Sequence, residues 1–214
     1  ARADISAKIV GGMPSSRWAG RWASERRDMT TTLPVVTTTD DSLAADIDAC
    51  CRLTGEFTLR SGQVSHEYFD KYLFEADPLL LGRVAREMIQ LVPQDTELLG
   101  GLEMGGIPIA TVVSSILGTP ALFVRKEAKT YGTCKLAEGG AYDGKRVTLV
   151  EDVITTGGAV RDAARALREG GAVVDVVCCA IDRSPAGENP LADVGLEVRA
   201  VLTKADLDAV RHGG

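Results

Sequence analysis

The chain has 214 residues and a formal net charge of -6. That length suits one α/β domain with a sizeable core, and the acidity excludes a general nucleic-acid partner, whose footprint would be basic. Five cysteines include the neighbours Cys50-Cys51 and Cys178-Cys179, which make poor disulfide partners and have no zinc spacing, so reduced thiols and a cytoplasmic location are expected.

Residues 1 to about 40 carry neither helical nor strand periodicity and lack the apolar stretch of a signal peptide. We expect an extension, poorly ordered at its start, ahead of a domain that begins near Met29. Helical spacing appears at Leu43, Ile47, Cys50 and Cys51, after the N-cap candidates Asp41 and Ser42, with an end at Gly55. Two aromatic-rich runs within 57–72 flank the Ser61-Gly62 turn and predict a hairpin. Pro78 opens a helix over 79–92 that Pro93 stops. A short strand over 98–102 leads through Glu103, Met104, Gly105 and Gly106 into a helix from Ile107, with Pro108 in its first turn and an end near Gly118. The strand over 121–124 runs into a cation cluster, Arg125, Lys126 and Lys129, followed by small and flexible residues, the composition of a mobile lid over an anion.

The stretch over 147–160 is the most informative. An unbroken apolar run suits a strand covered on both faces, and it stops at Glu151 and Asp152 before turning through Thr155, Thr156, Gly157 and Gly158 into a helix from about Ala159 to Arg168. Open α/β sheets bind ligands at the carboxyl ends of their strands. Amides of Ile154, Thr155, Thr156, Gly157, Gly158 and Ala159 would face a concavity at a helix N-terminus, a ready phosphate site. Carboxylates suit hydroxyls or magnesium instead. A ligand with phosphate, hydroxyls and a metal-chelating group is a phosphorylated sugar. A β-branched strand over 173–181 follows and places Arg183 at its carboxyl end. A strand over 196–202 precedes a capping box at Thr203 and Asp206 that opens a short helix through Val210. The alternation from residue 98 onward predicts a mostly parallel central sheet with helices on both faces. The histidines, His66 and His212, are too few for a His-built metal site or triad.

The 147–160 stretch resembles the phosphoribosyl-diphosphate (PRPP) signature of type I phosphoribosyltransferases. Phe57-Thr58-Leu59-Arg60-Ser61-Gly62 with Tyr68 and Phe69, and Val124-Arg125-Lys126-Glu127-Ala128-Lys129 with Tyr131 and Gly132, resemble motifs of the orotate phosphoribosyltransferases. That resemblance implies a hood over about 41–76 on a core over about 77–214, together a single domain at 41–214. It implies transfer of a phosphoribosyl group from PRPP to orotate, giving orotidine 5'-monophosphate and diphosphate in pyrimidine synthesis. It brings Arg125, Lys126 and the main catalytic cation Lys129 to the diphosphate, Glu151 and Asp152 to the ribose hydroxyls, and 153–159 to the 5'-phosphate. Arg60, Tyr68, Phe69, Thr155 and Arg183 would meet orotate. Magnesium would be held mainly by substrate, with Glu151 and Asp152 as candidate side chains. A homodimer is implied, the loop over 125–140 reaching the neighbouring active site. Many relatives carry lysine at Gly105 and histidine at Tyr131; here Gly105 can offer only its amide, and Tyr131 a hydroxyl. Two alternatives stay open: transfer to another nucleobase, against which Arg60 and Arg183 stand, and a regulator that binds PRPP without turnover.

Overall fold

A computed structural model describes residues 42–58, 62–126 and 136–212. Lys129, Tyr131, Arg60 and the first 41 residues lie outside the described residues. In chain order the elements are α1 (Leu43–Cys51), β1 (Arg52–Thr58), β2 (Val64–Phe69), α2 (Tyr72–Ala76), α3 (Pro78–Ile89), β3 (Leu98–Leu102), α4 (Gly106–Leu117), β4 (Ala121–Val124), β5 (Ala137–Glu138), β6 (Val147–Ile154), α5 (Gly158–Glu169), β7 (Val176–Asp182), β8 (Glu197–Thr203) and α6 (Lys204–His212).

Six strands form the main sheet in the order β5-β4-β3-β6-β7-β8. The ladders from β4 through β8 are parallel and β5 is antiparallel to β4. From β3 the chain steps outward to β4, then returns to the opposite side of β3 to build β6, β7 and β8. The order therefore reverses between β3 and β6, and the crevice beyond their carboxyl ends is where such a sheet takes a ligand.

The buried strands alternate faces, as their period of two requires. Leu99, Val150, Cys178 and Ala180 join α1, α3 and α4 residues such as Ile47, Val84 and Ile109 in one core; Leu98, Leu149, Val177 and Cys179 join Val160, Ala164 and Leu167 of α5 in the other. Both faces of the sheet are thus covered. The hairpin β1–β2 is a separate two-stranded sheet with an irregularity between Thr54 and Phe57. Arg52 pairs with Asp48 and Glu67, and Glu67 also pairs with Arg211 of α6, so the hairpin is clamped to two helices.

Several boundaries differ from expectation, among them the end of α3 at Ile89 rather than Val92 and the start of β7 at Val176 rather than Val173. Helix α1 ends at Cys51 rather than Gly55, because Arg52 is already extended and pairs with Phe69 across the hairpin. Strand β6 continues past Glu151 and Asp152 to Ile154, since Val153 and Ile154 still pair with Ile181 and Asp182. The last helix extends to His212, and its capping box is present: Asp206 Oδ2 accepts from the Thr203 amide and hydroxyl, both at 2.7 Å.

Candidate active site

Two strand–loop–helix units meet at the reversal point. In the first, β3 passes through Glu103, Met104 and Gly105 into α4, with the Glu103–Met104 peptide cis. Gly106 opens α4 pressed against β6: a Cβ there would lie 2.2 Å from the Val150 carbonyl oxygen. Only a residue without a side chain allows the helix to start so close to the sheet.

In the second unit β6 carries the acid pair into the turn before α5. Glu151 and Asp152 are 7% and 1% exposed. Glu151 Oε1 accepts from the Asp152 amide at 2.9 Å, and Asp152 Oδ1 from the Val153 amide at 2.5 Å. Gly157 adopts the left-handed conformation, φ 70°, and abuts the buried Leu191. No side chain caps the N-terminus of α5, so its first amides and the positive end of its dipole stay available to an anion. Thr155, Thr156, Gly158 and Ala159 are exposed around that turn, while Val153 is half-buried and Ile154 is buried.

Two residues without a sequence-derived role enter here. Lys71 Nζ lies 2.5 Å from Asp152 Oδ2. A Cβ at Gly105 would lie 1.6 Å from Asp152 Oδ2 and 2.7 Å from Glu75 Oε1, so Glu75, Asp152 and the Gly105 backbone converge on one point. The signal for Lys71 was its place directly after the hairpin; for Glu75 it was a lone acid beside the buried Phe74. Burial, followed by the charge of Asp152, raises the Glu75 carboxyl. Burial and the contact with Asp152 raise Glu151. Burial alone would raise Asp152 too, but the contacts with Glu151 and Lys71 outweigh it and hold Asp152 below the usual range. The cluster thus concentrates its negative charge on Asp152, opposite Lys71.

Arg183 follows β7, and its amide donates to the Ile154 carbonyl at 2.8 Å, tying it to the end of β6. Its guanidinium stands 5.7 Å from the centroid of the Phe69 ring. Sequence reading named both residues separately, and the fold brings them together in a cation–π contact. Tyr68, on the other side of the strand, instead packs its ring on Phe57 at 5.5 Å. Arg125 and Lys126 leave β4 beside the first loop, where the Lys126 amide donates to Glu103 Oε1 at 2.7 Å. Among the described residues Arg125 Nε is buried without a hydrogen-bond partner, which leaves a donor for an anion.

For a metal, the described residues contain no group of three or more His, Cys, Asp or Glu side chains arranged to hold one. Two carboxylates beside a phosphate site do fit an ion that keeps most of its coordination on substrate oxygens and water, as magnesium does.

Comparison with known proteins agrees with this geometry. The family model described as "Phosphoribosyl transferase domain" matches residues 79–199. An orotate phosphoribosyltransferase from a Nocardioides species is 76% identical over 177 residues, covering 83% of this chain and 99% of that protein. Another from Methanocella arvoryzae is 42% identical, covering 72% and 87%. The crystal structure of the Mycobacterium tuberculosis orotate phosphoribosyltransferase in complex with PRPP matches with a TM-score of 0.66 at 30% identity, covering 78% of this chain and 96% of that one. The reversal point, acid pair and uncapped helix lie within the region that the family model matches, and by its similarity to these relatives the chain belongs to the orotate phosphoribosyltransferase family.

Proposed function

We propose that the crevice between β3 and β6 seats PRPP and that orotate enters against Arg183 and Phe69. The reaction is that of the family: orotate and PRPP give orotidine 5'-monophosphate and diphosphate, a step of pyrimidine nucleotide synthesis. The observation that carries the site assignment is the convergence of an uncapped helix N-terminus, two buried acids and a glycine loop on one crevice, with Arg183 on its rim.

In this reading the amides over 155–159 receive the 5'-phosphate, the Val153 amide being taken by Asp152 Oδ1, and Glu151 and Asp152 receive the ribose hydroxyls. Diphosphate leaves the anomeric carbon as positive charge grows on the ring, so the leaving group needs positive charge and the ring needs nearby negative charge. Arg125, Lys126 and Lys129 close over the diphosphate, the Gly105 amide supports it, and the Tyr131 hydroxyl hydrogen-bonds to it. Asp152 lies on the ribose side, where its charge favours the developing cation. Glu151 and Asp152 are the side chains that would hold a magnesium ion arriving with the donor, and the ion would supply neutralisation of the diphosphate. Orotate is oriented by Arg183 through its carboxylate, by Arg60 and Thr155, and by the β2 end at Tyr68 and Phe69. No side-chain nucleophile is needed: the enzyme's part is alignment and electrostatics.

A homodimer in which the 125–140 loop serves the neighbouring site is the arrangement that the family resemblance implies, and the exposed Ile116 and Leu117 at the end of α4 are apolar side chains that a second copy would cover. A cytoplasmic setting is supported by Cys50, Cys51, Cys178 and Cys179, all thiols. No helix among the described residues is long and apolar enough to cross a membrane.

The test is loss of orotate absorbance on adding protein, PRPP and magnesium, with adenine, hypoxanthine and uracil run in parallel. Loss that requires both PRPP and magnesium is expected. Reaction with another base and none with orotate would overturn the assignment of Arg183, and PRPP binding without any turnover would support a regulator instead.

A further inference from the structure

The segment between the hairpin and α2 delivers two side chains to the crevice that the reaction scheme above leaves unused. Lys71 precedes α2 by one residue and Glu75 lies four residues further on, so a single helical turn sets both on one side. They reach the end of β6, some 80 positions away in sequence, at the one point where Asp152 abuts the Gly105 backbone.

Asp152 is 1% exposed, and Lys71 is the one cation among the described residues that forms an ion pair with it. A carboxylate so buried and left without a counter-charge would turn away or give up its charge. Lys71 prevents both. The Val153 amide donates to Oδ1 and the Lys71 ammonium stands in ion-pair contact with Oδ2, so the carboxylate is met at both oxygens although Oδ2 has no hydrogen bond of its own among the described residues. The pair is not needed to anchor α2, because Phe74 is wholly buried in the core beneath it. About a third of the Lys71 side chain stays exposed (34%), which puts the ammonium at the boundary between the buried acid and the open crevice.

We infer that Lys71 is a positioning residue for the phosphoribosyl donor, fixing the Asp152 carboxylate against the Gly105 backbone so that it meets the ribose already oriented. The inference rests on the assignment of Asp152 to the ribose hydroxyls. It also explains why residue 105 is glycine: the carboxylate that Lys71 fixes occupies the volume a side chain at 105 would need.

The experiment compares wild type with Lys71→Met, Lys71→Arg, Asp152→Asn and the double variant Lys71→Met/Asp152→Asn, reading kcat, KM for PRPP, KM for orotate and the thermal midpoint of each. Lys71→Met is expected to raise KM for PRPP about tenfold to a hundredfold, the range for a hydrogen bond to a charged group, and to leave KM for orotate unchanged. Lys71→Arg, which keeps the cation, restores most of the loss. In the double variant the two losses do not multiply, because Lys71 acts through Asp152. A wild-type KM for PRPP in Lys71→Met, or losses that multiply in the double variant, would overturn the inference. If Lys71→Met does not fold, Lys71→Arg and Asp152→Asn decide: an Arg variant as impaired as Asp152→Asn contradicts it, and near-wild-type PRPP binding supports it. A wild-type protein that turns over orotate beside an unaffected Lys71→Met sinks this inference alone. A wild-type protein that neither binds PRPP nor consumes orotate sinks the assignment of the crevice and this inference with it.

Discussion

At the scale of single residues, the crevice is governed by what cannot be added to it. Gly105→Ala would set a methyl group 1.6 Å from Asp152 Oδ2, so either the acid or the loop must move. We predict at least a tenfold fall in kcat/KM for PRPP, about 1.4 kcal/mol, and an unchanged KM for orotate, measured by steady-state kinetics. Gly157→Ala adds two costs, a left-handed backbone at φ 70° and a clash with Leu191. A loss of about 1–3 kcal/mol of stability is expected on denaturant titration. Glu75 gives a pH signature. Its carboxyl is raised from 4.5 to about 8 by burial and then by Asp152, so between those values the folded protein holds a proton that the unfolded chain has released. Stability should therefore fall as pH rises through that window. Glu75→Gln should reduce the slope of the thermal midpoint there, the remainder coming from Glu151, which is raised in the same direction; an equal slope in the variant would assign it to other groups. Gly105 could be read from the sequence only as a missing side chain. Its neighbours come from β6 and α2, which are distant in the chain, and only the fold shows that Asp152 fills the place.

At the scale of elements, β6 with α5 was legible because its signal is local. A run from Val147 to Val150, two acids and a Gly turn announce a strand, a switch in chemistry and a helix start within one stretch. The hairpin was legible for the same reason. Helix α2 was not, being five residues long, too short to show a helical period, and it carries Glu75 while Lys71 stands just ahead of it, the two side chains that reach toward Asp152. The two-residue strand β5 is set by its pairing with β4 rather than by its own residues. The clearest element-level consequence joins two pieces read separately, the end of β7 and the end of β2. Arg183 stands over Phe69, so Arg183→Ala removes the cation on that ring and, in the proposed reading, the partner of the orotate carboxylate. We predict a rise of about tenfold to a hundredfold in KM for orotate, with KM for PRPP unchanged. Equal rises in both constants would place Arg183 on the donor instead.

At the scale of the whole molecule, the sheet separates two cores, and cysteines lie in both. Burial first, then the neighbouring Cys50, raises the Cys51 thiol; burial pushes Cys178 up to about 12 and raises Cys179 well above the usual range. Since the thiolate is the reactive form, iodoacetamide at mildly alkaline pH should leave these three unlabelled in the folded protein and label them after unfolding, as peptide mass spectrometry would read. The parallel order and both covered faces were legible from the alternation of strands and helices. The side of β3 on which β6 would add was not, because sequence order does not encode it, and that choice creates the crevice. The measurement that tests the account most directly is a crystal structure with orotidine 5'-monophosphate bound. We expect the phosphate on the amides over 155–159, the ribose hydroxyls at Glu151 and Asp152, and the base carboxylate on Arg183. A nucleotide bound elsewhere, or with its phosphate on Arg183 and its base at the start of α5, would contradict that arrangement.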